Sequence, residues 1–192
     1  MKLTSKQAYE LLISGLDNPE TILYVPHSRQ VGNLSGLIAK EIGKDDDYAR
    51  TLGYLHDIGR KINCDNHIYA GYKYLMDEGY EDYAHICLTH SFLNNDMECI
   101  CASLLPADSE GYSIVKEFVE NRKNTVYDKI VQLCDLLCLH TGGTTLENRI
   151  RDVEVRRGTH YKSKYHYETA LAQKREIEDL LGHSVYDLYK FL

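Results

Sequence analysis

Apolar residues recur every three or four positions along nearly the whole chain, and no stretch alternates apolar with polar as a half-buried strand does. That period restricts the chain to packed helices, so the expected class is all-α, a single compact multi-helix bundle. Helix starts and stops are written locally. Thr4-x-x-Gln7 reads as a capping box for a helix to about Leu16. Asn18-Pro19 suggests a short second turn, and Pro26 opens a helix to about Ile42, closed by Gly43. Asp45 to Asp47 cap a helix whose inner face is Ala49, Leu52, Gly53 and His56. Helices are expected from Asp65 or Asn66 to Gly79, from Glu81 to Phe92, and from Gly111 to Asn121. Thr125-x-x-Asp128 caps a strongly apolar helix from Val126 to His140, and Thr144-x-x-Glu147 caps one that ends at Gly158. A long helix from Tyr161 to Leu181 stops at Gly182, and Ser184-x-x-Asp187 caps a last one.

Composition narrows the function classes. The 192 residues suit one domain, residues 1–192, with motifs in 26–140 and a helical extension in 144–192. A net charge of −7 argues against a nucleic-acid binder that relies on bulk electrostatics. No run approaches the ~20 apolar residues of a membrane span, and the N-terminus lacks the pattern of a signal peptide. A cytoplasmic protein with reduced thiols is therefore expected. The six cysteines form no Cys-x-x-Cys pair, which removes zinc-ribbon and thioredoxin readings. Cys134 and Cys138, four apart, are expected to stack on one helix face as core.

The informative string is Leu55-His56-Asp57-Ile58-Gly59-Arg60. An apolar helix that closes on His-Asp needs partners for both groups, because a buried carboxylate without counter-charge is expensive. His27 heads the apolar stripe of an earlier helix, and Asp135 lies inside Val131-Gln132-Leu133-Cys134-Asp135-Leu136-Leu137. A divalent cation is a natural partner for all four. Two His and two Asp suit Mn, Fe, Zn, Ni or Co, with positions left open for water. Any one of these residues alone reads better as a satisfied core or cap residue. Four placements agreeing on one site favour metal.

The order His27, His56-Asp57, Asp135 on an all-helical chain resembles the HD-domain metal-dependent phosphohydrolase superfamily. The similarity extends through Ile58-Gly59-Arg60. It implies a binuclear centre in which His67 and His90 hold a second ion and Asp57 bridges both. His67-x-x-x-Gly71 is similar to the small stand-alone dinucleoside polyphosphate hydrolases, although Thr89-His90-Ser91 lacks the Thr-Gly expected after the second histidine. The cyclic-dinucleotide phosphodiesterase branch carries adjacent histidines and Gly-Tyr-Pro, and neither occurs here. The implied activity is hydrolysis of a phosphoester or phosphoanhydride bond in a nucleotide-like small molecule. Asp57 and Arg60 are the catalytic candidates, with Arg60 placed to meet a phosphate oxygen. A homodimer is compatible with the resemblance. Two alternatives stay open: a mononuclear HD nucleotidase acting on nucleoside monophosphates, and a non-catalytic nucleotide-sensing helical module.

Other residues receive plainer expectations. His85 is read as a surface residue, or else as one standing just behind the site, His140 as a helix C-terminal residue, and His160, His166 and His183 as solvated positions. Arg149 and Arg151 are within reach of the site's mouth but default to a solvated face. Tyr24, Tyr54 and Tyr72 are candidates for stacking on a base, with no feature selecting among them. The weakly periodic region from Asn94 to Asn124 is a candidate specificity loop.

Overall fold

A computed structural model describes residues 2–14, 23–98 and 109–192. Among the described residues nine α-helices run in chain order: α1 (Ser5–Ile13), α2 (Tyr24–Glu41), α3 (Asp46–Leu55), α4 (His67–Asp77), α5 (Glu81–Thr89), α6 (Glu110–Asn121), α7 (Val126–Leu137), α8 (Leu146–Arg157) and α9 (Ser163–Leu181). Short 3-10 turns occupy Ile58–Lys61, Leu93–Asn95 and Val185–Phe191. The turn expected at Asn18-Pro19 lies outside the described residues.

The local caps form as their chemistry dictates. Thr4 and Thr125 each build a capping box, with Gln7 and Asp128 respectively. Asp45, Ser109, Thr145 and Ser184 each accept a backbone N–H at the start of an element. Thr145 is the cap of α8, one residue later than the Thr144 box expected. Helix α2 starts two residues before Pro26, which sits in its first turn where a missing N–H leaves no hydrogen bond unmade. Helix α7 ends at Leu137 and not at His140. Cys138–Leu139 pairs antiparallel with Gly142–Gly143 in a two-residue hairpin, the strand pairing found among the described residues. Cys138 therefore leaves the face of Cys134, though both remain buried in the core.

The core is built on α2, α3 and α7. Leu34 and Ile38, Leu52 and Leu55, and Ile130, Leu133 and Leu137 are fully buried against one another's elements. Helices α2 and α3 cross at Gly32 and Gly53, where a Cβ on Gly53 would stand 2.5 Å from Gly32 Cα. Only glycine permits that approach, and it brings the start of α2 beside the end of α3. Ile177, Val185 and Leu188 from the C-terminal elements join the same core. A smaller cluster of Ile68, Leu88, Phe92, Val115 and Val119 lies beneath α6. Among the described residues no helix is long and apolar enough to cross a membrane.

Candidate metal centre

Five helix ends deliver six side chains to one place. His27 stands in the first turn of α2, His56 and Asp57 follow the last residue of α3, and His67 is the first residue of α4. His90 caps the C-terminus of α5, and Asp135 occupies the last turn of α7. Three of the rings are pre-set by backbone carbonyls. His56 Nδ1 lies 2.7 Å from Gly53 O, His67 Nδ1 3.4 Å from Cys64 O, and His90 Nδ1 3.1 Å from Ile86 O. A carbonyl only accepts, so each Nδ1 donates and each Nε2 lone pair faces the site.

The ligand-type atoms fall into two groups of three. His27, His56 and Asp135 form one, and Asp57, His67 and His90 the other, with the atoms of each group within 4.8 Å of one another. His27 Nε2 lies 3.0 Å from Asp135 Oδ1, and His56 Nε2 lies 3.8 Å from the same oxygen. Asp57 stands between the groups. Its Oδ1 is 3.2 Å from His67 Nε2 and 3.6 Å from His90 Nε2, and its Oδ2 is 3.7 Å from His56 Nε2 and 4.0 Å from His27 Nε2. Each carboxylate oxygen thus faces one group. The Arg60 Nε–H donates to Oδ2.

The electrostatics favour neutral imidazoles around ionised carboxylates. Burial pushes His56 and His67 down to about 4, against the opposing pull of Asp57. Burial would raise Asp57, but Arg60 and the surrounding histidines hold it well below the usual carboxylate range. Asp135 is likewise held low, burial being outweighed by its hydrogen bond from His27 and by His56. His56 Nε2, His67 Nε2 and Asp57 Oδ1 are buried and have no hydrogen-bond partner. Three orphaned lone-pair donors at one point are costly in a dry site, and they are the atoms a divalent cation takes. The residues present therefore fit a metal, with mixed nitrogen and oxygen donors.

The centre opens into a cavity of about 610 Å³, within the range of small-molecule sites. Arg60 and Tyr24 border it, whereas Tyr54 and Tyr72 do not. Tyr54 instead bonds Asn33 and is buried against α2. Several expectations change here. His160 and His166 are not solvated positions: both line the cavity, and the His166 side chain is only 12% exposed. The short turn between α8 and α9 and the first turn of α9 border the cavity, which no local pattern reveals. His140 lies in the hairpin turn at the cavity edge and not at a helix end. His85 is not on the surface, because its Nε2 stands 3.5 Å from the fully buried Asp128. Arg149 also borders the cavity, 3.9 Å from Asp135, while Arg151 is exposed as expected. Of the Asn94 to Asn124 region, residues 99–108 are outside the description, and the rest carries a 3-10 turn and α6.

Gln132 is a residue that the sequence reading passed over. It is buried one turn before Asp135, lines the cavity, and donates from Nε2 to Thr89 O at 2.8 Å and to Phe92 O at 3.4 Å. It therefore ties down the end of α5 on both sides of His90. A lone Gln in an apolar helical stripe was the available signal.

The family model for the HD domain matches residues 24–139, which contain all six side chains. The chain belongs to the HD domain family. That family is all-α and consists of metal-dependent hydrolases, and the chain's two His/Asp groups are of the kind that could hold such a metal. Curated relatives are similar over short stretches. Ribonuclease Y of Streptococcus sanguinis is 51% identical over 37 residues, which is 19% of this chain and 7% of that protein. Ribonuclease Y of Opitutus terrae is 36% identical over 56 residues, 28% of this chain and 11% of that protein. The chain thus spans only a small part of the length of these relatives. No solved structure matches it.

Proposed function

We propose that this HD protein hydrolyses a phosphoester or phosphoanhydride bond of a small nucleotide-like substrate, using two divalent transition-metal ions from among Fe, Mn, Ni, Co and Zn. His27, His56 and Asp135 would hold one ion, His67 and His90 the other, and Asp57 both. The observation that carries this reading is the double-sided Asp57, with one oxygen toward each group of donors. When bound, such ions polarise a phosphoryl group and supply hydroxide from water near neutral pH. The chain's own part is to present that pair in one geometry. Neutral His56 and His67 keep their Nε2 lone pairs free, and the Nδ1 bonds prevent the rings from turning. Arg60, bonded to Asp57 and bordering the cavity, is placed to turn its remaining donors to a non-bridging phosphate oxygen.

The dinucleoside polyphosphate subgroup remains part of this proposal, as do a homodimeric state, a cytoplasmic setting and the reading of residues 1–192 as one HD-type unit. The core shared by α1 to α5 and α7 to α9 supports the last of these. Similarity to Ribonuclease Y adds phosphodiesters as a second bond class to test. The experiment is elemental analysis of freshly purified protein, followed by a screen over nucleotides, dinucleoside polyphosphates and model phosphodiesters. Two ions per chain are expected, with loss in His56→Ala and Asp57→Ala. Full metal content in both variants overturns the ligand assignment. One ion per chain favours the nucleoside monophosphate reading, and an entirely negative screen favours the sensing module.

A further inference from the structure

The cavity has two walls of different chemistry. One carries the histidines with Asp57 and Asp135. The other comes from α8 and the turn into α9, beyond the residues that the family model matches. On this second wall Arg156 is already paired, donating to Asp152 Oδ2 at 3.0 and 2.6 Å. Arg149 is held more loosely, at ion-pair distance from two carboxylates. Its Nε is buried without a hydrogen-bond partner. Its terminal nitrogens lie 3.9 Å from Asp135 Oδ1 and 3.6 Å from Asp152 Oδ2, beyond hydrogen-bond reach. A guanidinium only 18% exposed has lost much of its water while keeping unmatched donors. Its planar fork matches phosphoryl oxygens.

His160 adds an independent donor. Its Nδ1 accepts the Lys162 backbone N–H at 3.2 Å, so the neutral ring carries its proton on Nε2. The turn that bears it is firmly held. His160 N–H donates to Ser163 Oγ at 3.0 Å, and Ser163 N–H returns to His160 O at 2.9 Å. Lys162 Nζ ties the turn to Asp96 at 3.0 Å and to Glu98 at 2.7 Å. The His166 ring lies parallel to it at 6.2 Å. Such fixed donors lower the ordering cost of binding. Asp152 and Glu154 also border this wall, so recognition there comes from placed donors and not from net charge.

We propose that Arg149 and His160 form an anion subsite for a second, non-reacting phosphoryl group of the substrate. The chain then selects compounds with at least two phosphoryl groups over monophosphates. This rests on reading the Asp57 cluster as the reaction centre.

The test is calorimetric titration of the full chain with methylenediphosphonate and with methylphosphonate, neither of which is hydrolysed. Wild-type protein should bind the diphosphonate at least about tenfold more tightly. Arg149→Ala and His160→Gln should each weaken diphosphonate binding by about tenfold, or ~1.4 kcal/mol, and change methylphosphonate binding by less than about twofold. Arg149→Lys should not restore it, because an ammonium lacks the fork. Asp152→Asn removes the carboxylate near Arg149 and should tighten diphosphonate binding, and this gain should vanish when Arg149→Ala is added, which separates Arg149 from the Arg156 that the same change frees. No preference in wild-type protein, or wild-type affinity in both Arg149→Ala and His160→Gln, overturns the proposal. Should Arg149→Ala fail to fold, His160→Gln alone decides. Metal content measured on the same samples reports separately on the reaction centre, and His160→Gln, which does not touch a proposed metal ligand, should leave it unchanged.

Discussion

Gly59→Ala is a one-carbon change with a calculable effect on the metal centre. A Cβ at Gly59 would stand 2.0 Å from His67 O, 2.5 Å from Gly71 N and 2.8 Å from His67 C. Ordinary contact begins at 3.4 Å, so 3.4 − 2.0 requires the two backbones to part by about 1.4 Å. All three atoms belong to backbone, and no rotamer change relieves them. The segment that must move is the start of α4, which carries His67 at 3.2 Å from Asp57 Oδ1. His27, His56 and Asp135 are on other helices and keep their places. The variant should lose about 3 kcal/mol of stability, the upper end for overpacking. For a chain of this size that lowers Tm by roughly 6–12 °C. It should also bind the ion near His67 and His90 at least about tenfold more weakly while retaining the other. Thermal melts of metal-free protein and metal titration check the two effects. Gly79→Ala is the control: its Cβ meets nothing within 4 Å, and its φ of +77° should cost only about 1–2 kcal/mol with metal binding intact. Wild-type Tm and two full-affinity ions in Gly59→Ala would refute the reasoning.

Three further outcomes are expected. In metal-free protein, His56 and His67 are held neutral down to about pH 4, whereas the unfolded chain takes up protons near pH 6.5. Their contribution is complete above about pH 6.5 and is lost as pH falls toward about 4, so urea midpoints should drop between about pH 7.5 and about pH 5; a flat profile contradicts the burial argument. Gln132→Leu keeps volume but removes the donors to Thr89 O and Phe92 O. It should cost ~1–3 kcal/mol and weaken metal binding about tenfold by freeing His90, as read by denaturation and metal titration. Thr125→Ala breaks a capping box and should cost about 1 kcal/mol in a urea melt, with metal content unchanged.

The helices were legible because their signals are local. Thr4, Asp45 and Thr125 cap in the structure as their side chains suggest, and Gly158 and Gly182 end their helices at positive φ. The end of α7 was not legible: its apolar period continues to Leu139, and only pairing with Gly142–Gly143 shows where the helix gives way. His85 was misplaced for a related reason. Its burial depends on Asp128, 43 positions along the chain, and such a pairing leaves no mark in either local pattern.

The same division runs through the site. The sequence by itself determined the class of fold, the positions of most helix ends, and the six side chains with donor atoms for a metal. Periodicity and capping act over a few residues, and donor chemistry belongs to the residue type. The tertiary structure alone decided that Asp57 faces both groups, that Gly59 must yield to the backbone of His67, and that Arg149 and His160 reach the same cavity from outside the matched domain. Those are distances between segments far apart in the chain, set by how whole helices pack, and no stretch of sequence carries them.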